Sequence, residues 1–153
     1  MIQVPRDHAP IQSAIDAATP GDEILVAPGS YTETVDFKGK AIALRSSGRS
    51  KLTAIDGSGL NQTVVRCVSG EGPDTVLQDF TIAGGSAVFG GGMRNKGSNP
   101  TVLDGIFKGN SATDRGGGMH DYVGVAVATG DPVVTPLGLA PRRSGRTNPP
   151  QRS

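Results

Sequence analysis

The sequence lacks tryptophan, has few aromatic residues (4%) and contains a single cysteine, Cys67. One cysteine excludes an internal disulfide framework and a zinc site built from several cysteines. No run of about 18 apolar residues occurs, so we predict no membrane span. The chain also opens without a recognisable signal peptide. We therefore interpret it either as a cytoplasmic protein or as a piece of a longer, exported one.

Charge of one dominant sign is absent as well. The 15 Lys and Arg residues nearly balance the 14 Asp and Glu residues, for a formal net charge of +1. Four basic residues follow the last acidic one, and they are Arg142, Arg143, Arg146 and Arg152. The remainder of the chain is therefore slightly acidic, which argues against nucleic acid as a partner. We expect the four arginines to lie in a solvated tail.

Glycine and proline, in contrast, are abundant, with 23 and 11 residues. They separate short apolar or alternating runs, since glycine supplies turn conformations that other residues resist. Runs of this length, bounded in this way, are typical of β-strands, and they are 24–27, 34–37, 41–44, 52–55, 63–68 and 75–82. No Asn-Gly or Asp-Gly pair forms a clean two-residue turn between alternating strands. Hairpins therefore do not explain the pattern.

One segment of the chain occurs twice. Residues 75–93 and 101–119 align without gaps at an offset of 26, and they share Thr-Val-Leu at the start and Gly-Gly-Gly-Met at the end. A fixed period of about 20–50 residues is typical of stacked repeats. We therefore predict a solenoid in which each short strand pairs in parallel with its equivalent one coil later. Asn95, Asn110 and the two triple-glycine runs are expected at corners that need left-handed backbone.

A short amphipathic helix precedes the strands. Ile11, Ala14, Ile15 and Ala18 share one face at spacings of three and four residues, and Pro10 suits the first helical position. A helix of about two turns needs a surface to pack on. We expect it to cover the open first coil, as terminal caps of solenoids do.

The pattern divides the chain into three parts. We assign residues 1–22 to an N-terminal cap, 23–120 to about four β-helix coils, and 121–153 to an irregular or disordered tail rich in Pro and Arg. Residues 121–129 could form one more strand, whereas residues 130–153 show no hydrophobic period. The abrupt change suggests a truncated or frame-shifted end. An open last coil would present unpaired strand edges, through which self-association is possible.

Several motifs resemble a known superfamily. They are Ile11-Gln-Ser-Ala-Ile-Asp-Ala-Ala18, Gly21-Asp22, Ile24-Leu-Val-Ala-Pro-Gly-Ser-Tyr31, Ile55-Asp-Gly57 and Asp79-Phe-Thr-Ile-Ala-Gly-Gly85. The chain is similar to right-handed parallel β-helix proteins of the pectin-lyase-like superfamily. The Gly-Gly and Phe-x-x-Asn elements also resemble repeats of large exported bacterial β-helix proteins and of polymorphic outer-membrane proteins. The resemblance implies an all-β, right-handed parallel β-helix solenoid with an N-terminal capping α-helix.

The resemblance also implies function, although one fold serves many activities. We expect a non-catalytic structural or carbohydrate-binding segment of an exported surface protein, located outside the cell or on its surface, with polysaccharide as a possible partner. The chain has fewer coils than active members, so we interpret it as an N-terminal piece. The alternative is a polysaccharide lyase or another carbohydrate-active enzyme of this superfamily, and a third class is an adhesin or passenger domain.

Lyases of this fold, as the resemblance implies, hold calcium with clustered carboxylates and use an Arg or Lys to remove a proton next to a uronate carboxylate. Matching candidates are Asp79 and Asp104, on successive coils, with Arg94 or Lys108 as the base. Because Asp is a common turn residue, we favour corner positions for both aspartates. We therefore leave the catalytic residues unassigned, predict no cofactor and no metal site, and favour a non-enzymatic chain.

Three further features have a functional and a structural interpretation. His8 and His120 are the only histidines, and we expect both in exposed loops rather than in a joint metal or catalytic site. The glycine runs 90–92 and 116–118 invite comparison with phosphate-binding loops. No helix pattern follows them and they recur with the repeat, which favours a structural role. Cys67 alternates with Val65 and is predicted to face inward as a small apolar residue.

Overall fold

The computed structural model describes residues 1–122, 127–129 and 133–136. Within them the only α-helix is α1 (Ile11–Ala17), and a single 3₁₀ turn spans Ser50–Leu52. All other regular elements are short β-strands. In chain order they are β1 (Ile2–Val4), β2 (Glu23–Val26), β3 (Gly29–Thr32), β4 (Val35–Asp36), β5 (Ala43–Ser46), β6 (Thr53–Asp56), β7 (Val65–Cys67), β8 (Val76–Gln78), β9 (Thr81–Ala83), β10 (Ser86–Phe89), β11 (Met93–Lys96), β12 (Thr101–Leu103), β13 (Ile106–Arg115), β14 (Met119–Tyr122), β15 (Val127–Thr129) and β16 (Val133–Pro136).

These strands form three sheets that surround one core. The first sheet has the order β1-β2-β5-β8-β12-β15, the second β3-β6-β9-β13-β10 with β16 beside β13, and the third β4-β7-β11-β14. Every pairing between described strands is parallel. The predicted fold, an all-β parallel β-helix solenoid, is confirmed. It has about 5 turns rather than the four we expected.

The core consists of stacked columns of like side chains, because alternate residues of each strand face inward. In the first sheet the column is Ile24, Leu44, Leu77 and Val102. In the second sheet it is Tyr31, Ile55, Ile82 and Phe107. In the third it is Val35, Val65, Met93 and Met119. Burying each aliphatic side chain contributes about 1.5–3 kcal/mol to stability.

Helix α1 covers the first coil, as predicted. Ile11, Ala14 and Ile15 are fully buried, and Ala18 just beyond the helix is 2% exposed. The predicted position of Pro10 is wrong by one residue: its extended backbone (φ −80°, ψ 146°) makes it the N-cap, and the helix begins at Ile11. The helix therefore packs on the solenoid through the apolar face of its two turns.

Two charged side chains from the coils anchor the ends of α1. The Glu33 carboxylate accepts hydrogen bonds from the backbone N–H groups of Ile11 (2.8 Å) and Gln12 (3.0 Å). At the other end, Lys40 Nζ donates to the carbonyl oxygens of Ile15, Asp16 and Ala18 at 2.8–2.9 Å. An anion at the N-terminus and a cation at the C-terminus complement the helix dipole. A helix of seven residues would be unstable in isolation, so these contacts with the coils stabilise it.

The register of the repeat differs from the gapless alignment of the sequence. In the third sheet Met93 pairs with Met119, at the expected offset of 26. In the first sheet, however, Thr101 pairs with Val76 and not with Thr75, one residue short of that offset. A register shift where β10 meets β13, between Ala87 and Phe89, absorbs the extra residue. The gapless alignment therefore conceals a β-bulge.

The triple-glycine runs lie where the coils touch most closely. A Cβ atom on Gly91 would sit 2.2 Å from the carbonyl oxygen of Ser111, and one on Gly92 would sit 2.5 Å from that of Gly118. Gly90 and Gly116 have positive φ values of 64° and 68°, so the predicted left-handed corner is confirmed for them. The N–H groups of the first run donate to carbonyl oxygens of the next coil, for example Gly91 to Gly116 at 3.2 Å. The N–H groups of that run are therefore not free to bind a phosphate.

The corner positions predicted for the two asparagines are wrong. Asn95 lies in β11 and Asn110 in β13, and both are fully buried. The Asn110 amide donates to the Ile82 carbonyl (2.9 Å) and accepts from the Gly85 N–H (2.8 Å), so it joins two coils inside the solenoid. An amide offers both a donor and an acceptor, which lets it satisfy backbone groups where the ladder bends.

Past residue 120 the chain still contributes strands. β15 extends the first sheet by pairing with β12, which matches the additional strand predicted within residues 121–129. β16 pairs with β13, and Asp121 and Tyr122 complete β14. Residues 123–126, 130–132 and 137–153 of the predicted tail, including its arginines, lie outside the described residues.

Candidate functional site

A row of basic side chains runs across the outer face of the third sheet. Arg66 of β7 is in register with Arg94 of β11, and Arg94 is in register with His120 of β14. One step along the strands Lys96 pairs with Tyr122. Neighbouring parallel strands are about 4.8 Å apart. The two arginines therefore lie directly next to each other on successive coils.

A groove of about 600 Å³ follows this row and is hereafter called the basic groove. It is lined by Arg66, Val68, Arg94, Lys96, Gly97 and Tyr122. Its described lining contains three cations and no carboxylate, and its volume lies within the range of small-ligand sites. Tyr122 is 55% exposed and Val68 36%, so apolar surface lies beside the charges.

The guanidinium groups of Arg66 and Arg94 have few hydrogen-bond partners among the described residues. Arg66 forms a loose ion pair with Asp36 of the preceding coil, with Nη2 and Oδ2 3.9 Å apart. The Nε atoms of Arg66 and Arg94 are covered from solvent, and neither has a hydrogen-bond partner among the described residues. A covered donor without a partner costs free energy. Both side chains also line the groove, where an anion can meet the outer part of each guanidinium, a group that binds carboxylates in a forked geometry.

Phe89 orients the Arg94 side chain. The guanidinium carbon of Arg94 lies 5.6 Å from the centre of the Phe89 ring, within reach of a cation–π interaction. The His120 ring lies on the same phenylalanine, with 5.2 Å between ring centres. His120 is 8% exposed and belongs to β14, so the prediction of an exposed loop is wrong for it. Its register with Arg94 places it on the outer face of the sheet, where the Phe89 ring packs against it.

A second cavity of about 310 Å³, hereafter called the side lobe, lies next to the basic groove. It shares Arg94, Lys96 and Tyr122 with that groove and adds Phe89, Asp114, Arg115 and His120. Asp114 and Arg115 pair with each other, with Oδ1 and Nε 3.7 Å apart. The backbone N–H of Gly97 donates to the Tyr122 carbonyl at 2.9 Å and so fixes the strand that carries Tyr122.

The residues considered for a lyase are not assembled into one site. Asp79 and Asp104 occupy equivalent corners after β8 and β12, both with left-handed backbone (φ 65° and 51°). They stack on successive coils, and the Asp79 N–H donates to the Leu103 carbonyl at 3.0 Å. Arg94 lies on the third sheet, and Lys108 is exposed on β13 of the second. The corner interpretation therefore accounts for both aspartates.

Other sequence features have structural roles. Cys67 faces inward as predicted, and burial, reinforced by the charge of Glu71, raises the pKa of its thiol well above the ordinary value. His8 lies half-buried in the turn after β1. Among the described residues, no group of three or more His, Cys, Asp or Glu side chains could hold a metal ion. The described part of the chain also contains no helix that is long and apolar enough to cross a membrane.

Sequence reasoning named Arg94 only as a lyase base and did not identify Arg66, Lys96 or Tyr122. A usable signal was present. The offset of 26 aligns Arg94 with His120, and the alternation around Arg66 places that residue opposite the inward-facing Val65. The groove itself could not be predicted, because the coil from β7 to β11 differs in length from the next one and the pairing of Arg66 with Arg94 depends on it.

Comparison with known proteins finds no matching family model, no matching curated protein and no matching solved structure. The likeness to the pectin-lyase-like superfamily thus stays a prediction from the motifs. The parallel solenoid and the geometry of its third sheet do not depend on it.

Proposed function

We propose that this chain is a non-catalytic β-helix segment of an exported surface protein and that it binds an anionic polysaccharide in the basic groove. The observation that carries the proposal is the stack of Arg66 on Arg94 along a groove whose described lining has three cations and no carboxylate. Bidentate guanidinium sites of this kind suit carboxylate and sulfate groups.

The solenoid suits a polymer better than a single small anion. The strand spacing places the two guanidinium positions about 4.8 Å apart along the axis, and a polysaccharide repeats its charged unit along its own length. Lys96 adds a third cation next to the pair, and Tyr122 supplies an exposed ring against which a sugar can pack. The groove is open and shallow, which fits reversible binding along a chain better than enclosure of one molecule.

The test is a calorimetric titration with a uronate hexasaccharide at low ionic strength. The wild-type chain is expected to bind, and Arg94→Ala should weaken binding by about 10- to 100-fold, since a hydrogen bond to a charged group contributes about 1.5–3 kcal/mol. Arg94→Lys keeps the charge without the fork and should retain part of the affinity. Arg49→Ala, which removes an exposed cation just before the 3₁₀ turn, is the matched control and should bind like wild type.

Three outcomes would contradict the proposal. The first is unchanged affinity in Arg94→Ala, and the second is an equal loss in Arg49→Ala, which would indicate unspecific charge attraction. The third is equally tight binding of a single-stranded oligonucleotide of the same charge, which would point to nucleic acid instead. Circular dichroism and thermal unfolding of each variant establish that the fold is retained.

The lyase alternative has a separate assay. Elimination from a uronate polymer creates an unsaturated sugar that absorbs in the ultraviolet, and the reaction would be followed with calcium present. The proposal expects no turnover. Calcium-dependent turnover that Asp79→Ala or Asp104→Ala abolishes would replace the binding function with catalysis.

A further inference from the structure

The basic groove and the side lobe are neighbouring cavities that differ in their chemical environment. Both are bounded by Arg94, Lys96 and Tyr122. From these shared residues the basic groove continues to Arg66 on the preceding coil, whereas the side lobe turns towards Phe89 at the end of β10. A linear ligand lying across the shared residues would therefore place neighbouring units in different surroundings.

The charges of the two parts differ. Beyond the shared cations the basic groove adds Arg66, with no carboxylate in its described lining. The side lobe adds Arg115 and Asp114, which form an ion pair and cancel each other. When the first acidic sugar is bound to Arg94 and Lys96, a second anionic group in the side lobe would lie near the Asp114 carboxylate with only the paired Arg115 to offset it. An uncharged unit would meet no such repulsion.

The side lobe also has the surface that an uncharged sugar requires. Phe89 contacts both Arg94 and His120, and Tyr122 is half-exposed at the rim. Aromatic side chains offer an apolar face with a polar edge, on which the C–H face of a sugar ring can pack. The half-exposed Asp114 and Arg115 supply an acceptor and a donor for hydroxyl or amide groups.

We propose that the combined site takes an acidic heteropolysaccharide in which charged and uncharged sugars alternate, with the acidic sugar on Arg66 and Arg94 and the uncharged one in the side lobe. This assignment rests on the proposed function and specifies the ligand class of the same site. It predicts discrimination against polymers that are charged at every sugar, although such polymers offer more charge per unit length.

The experiment compares three hexasaccharides by calorimetry: one alternating a uronate with an N-acetylhexosamine, one composed of uronates only, and one composed of N-acetylhexosamines only. The alternating ligand is expected to bind at least about tenfold more tightly than either of the others. Asp114→Ala removes the repelling carboxylate and should raise the affinity for the all-uronate ligand several-fold. The ratio between the affinities for the alternating and the all-uronate ligand should therefore decrease. Asp74→Ala, which removes an exposed carboxylate beside the first sheet, is the matched control and should leave the preference unchanged.

The two claims fail in distinguishable ways. If no acidic ligand binds in an Arg94-dependent manner, the proposed function is wrong and the ligand class is wrong with it. If the all-uronate ligand binds as well as the alternating one and Asp114→Ala leaves their ratio unchanged, the basic groove still binds anions but the assignment of the side lobe is overturned. Arg115→Ala is a second probe, because it exposes Asp114 and should lower the affinity for the all-uronate ligand further.

Discussion

A buried carboxylate offers a sharp test of how the coils are held together. Glu71 is 1% exposed, and its oxygens accept hydrogen bonds from the N–H of Gly39 (2.8 Å), the N–H of Ser69 (2.8 Å) and the hydroxyl of Ser98 (2.9 Å). Gly39 and Ser98 are 32 and 27 residues away along the chain. One side chain therefore joins three successive coils.

Glu71→Ala is expected to leave the N–H groups of Gly39 and Ser69 without their carboxylate acceptor, whereas the Ser98 hydroxyl can still donate to the Lys96 carbonyl at 3.2 Å. A hydrogen bond to a charged group contributes about 1.5–3 kcal/mol, so the free energy of unfolding should fall by roughly 4 kcal/mol. For a chain of this size that corresponds to a decrease in Tm of roughly 8–16 °C. Glu71→Gln retains the shape but turns an NH₂ group towards a donor, and it should lower the free energy of unfolding by about 1.5–3 kcal/mol.

The assay is urea unfolding followed by circular dichroism, with Glu23→Gln as the matched control. Glu23 pairs with Arg45 on the outer surface, where both side chains are more than a third exposed, and such a pair contributes about 0–1 kcal/mol. A loss below about 1 kcal/mol in Glu71→Ala, or losses of equal size in Glu71→Ala and Glu23→Gln, would refute the interpretation of Glu71 as a link between coils.

The remaining predictions concern the cap, the thiol and a corner. Ile15→Asp places a charge in the buried contact between α1 and the first coil and should cause aggregation in light scattering, and a monomer of unchanged stability would disprove the role of the cap. Cys67 should resist thiol reagents at pH 8 until urea unfolds the chain, because burial raises its pKa, and rapid labelling of the folded chain would contradict its inward position. Asp104→Gly relieves left-handed backbone and should raise the free energy of unfolding by up to about 1 kcal/mol without changing glycan affinity, whereas a lower stability or a weaker glycan affinity would indicate another role.

The repeat and the glycine pattern predicted the architecture because they reflect local requirements. The Gly-Gly-Gly-Met segments mark equivalent positions on successive coils, and the pairing of Met93 with Met119 follows directly from them. The apolar face of the helix predicted the cap in the same way, since Ile11 and Ile15 need a surface on which to pack. In both cases a short stretch of sequence determines the local structure, namely the pairing of equivalent strands and the packing of the helix.

Features that depend on register could not be predicted. The bulge near Phe89 shifts the pairing by one residue, and no local signal distinguishes it from a regular strand. The buried positions of Asn95 and Asn110 follow from contacts with neighbouring coils, whereas their residue type alone favours turns. The stacking of Arg66 on Arg94 likewise depends on coils of unequal length, so the basic groove emerged only from the structure.

The most direct test of the central claim is the affinity of one acidic hexasaccharide, measured by calorimetry in the same buffer, for the wild-type chain and for Arg94→Ala. If the groove on the third sheet is the binding site, the wild-type chain binds and the variant binds at least about tenfold more weakly, because the forked contact of one guanidinium is lost. Equal affinities in the two folded chains would contradict the claim.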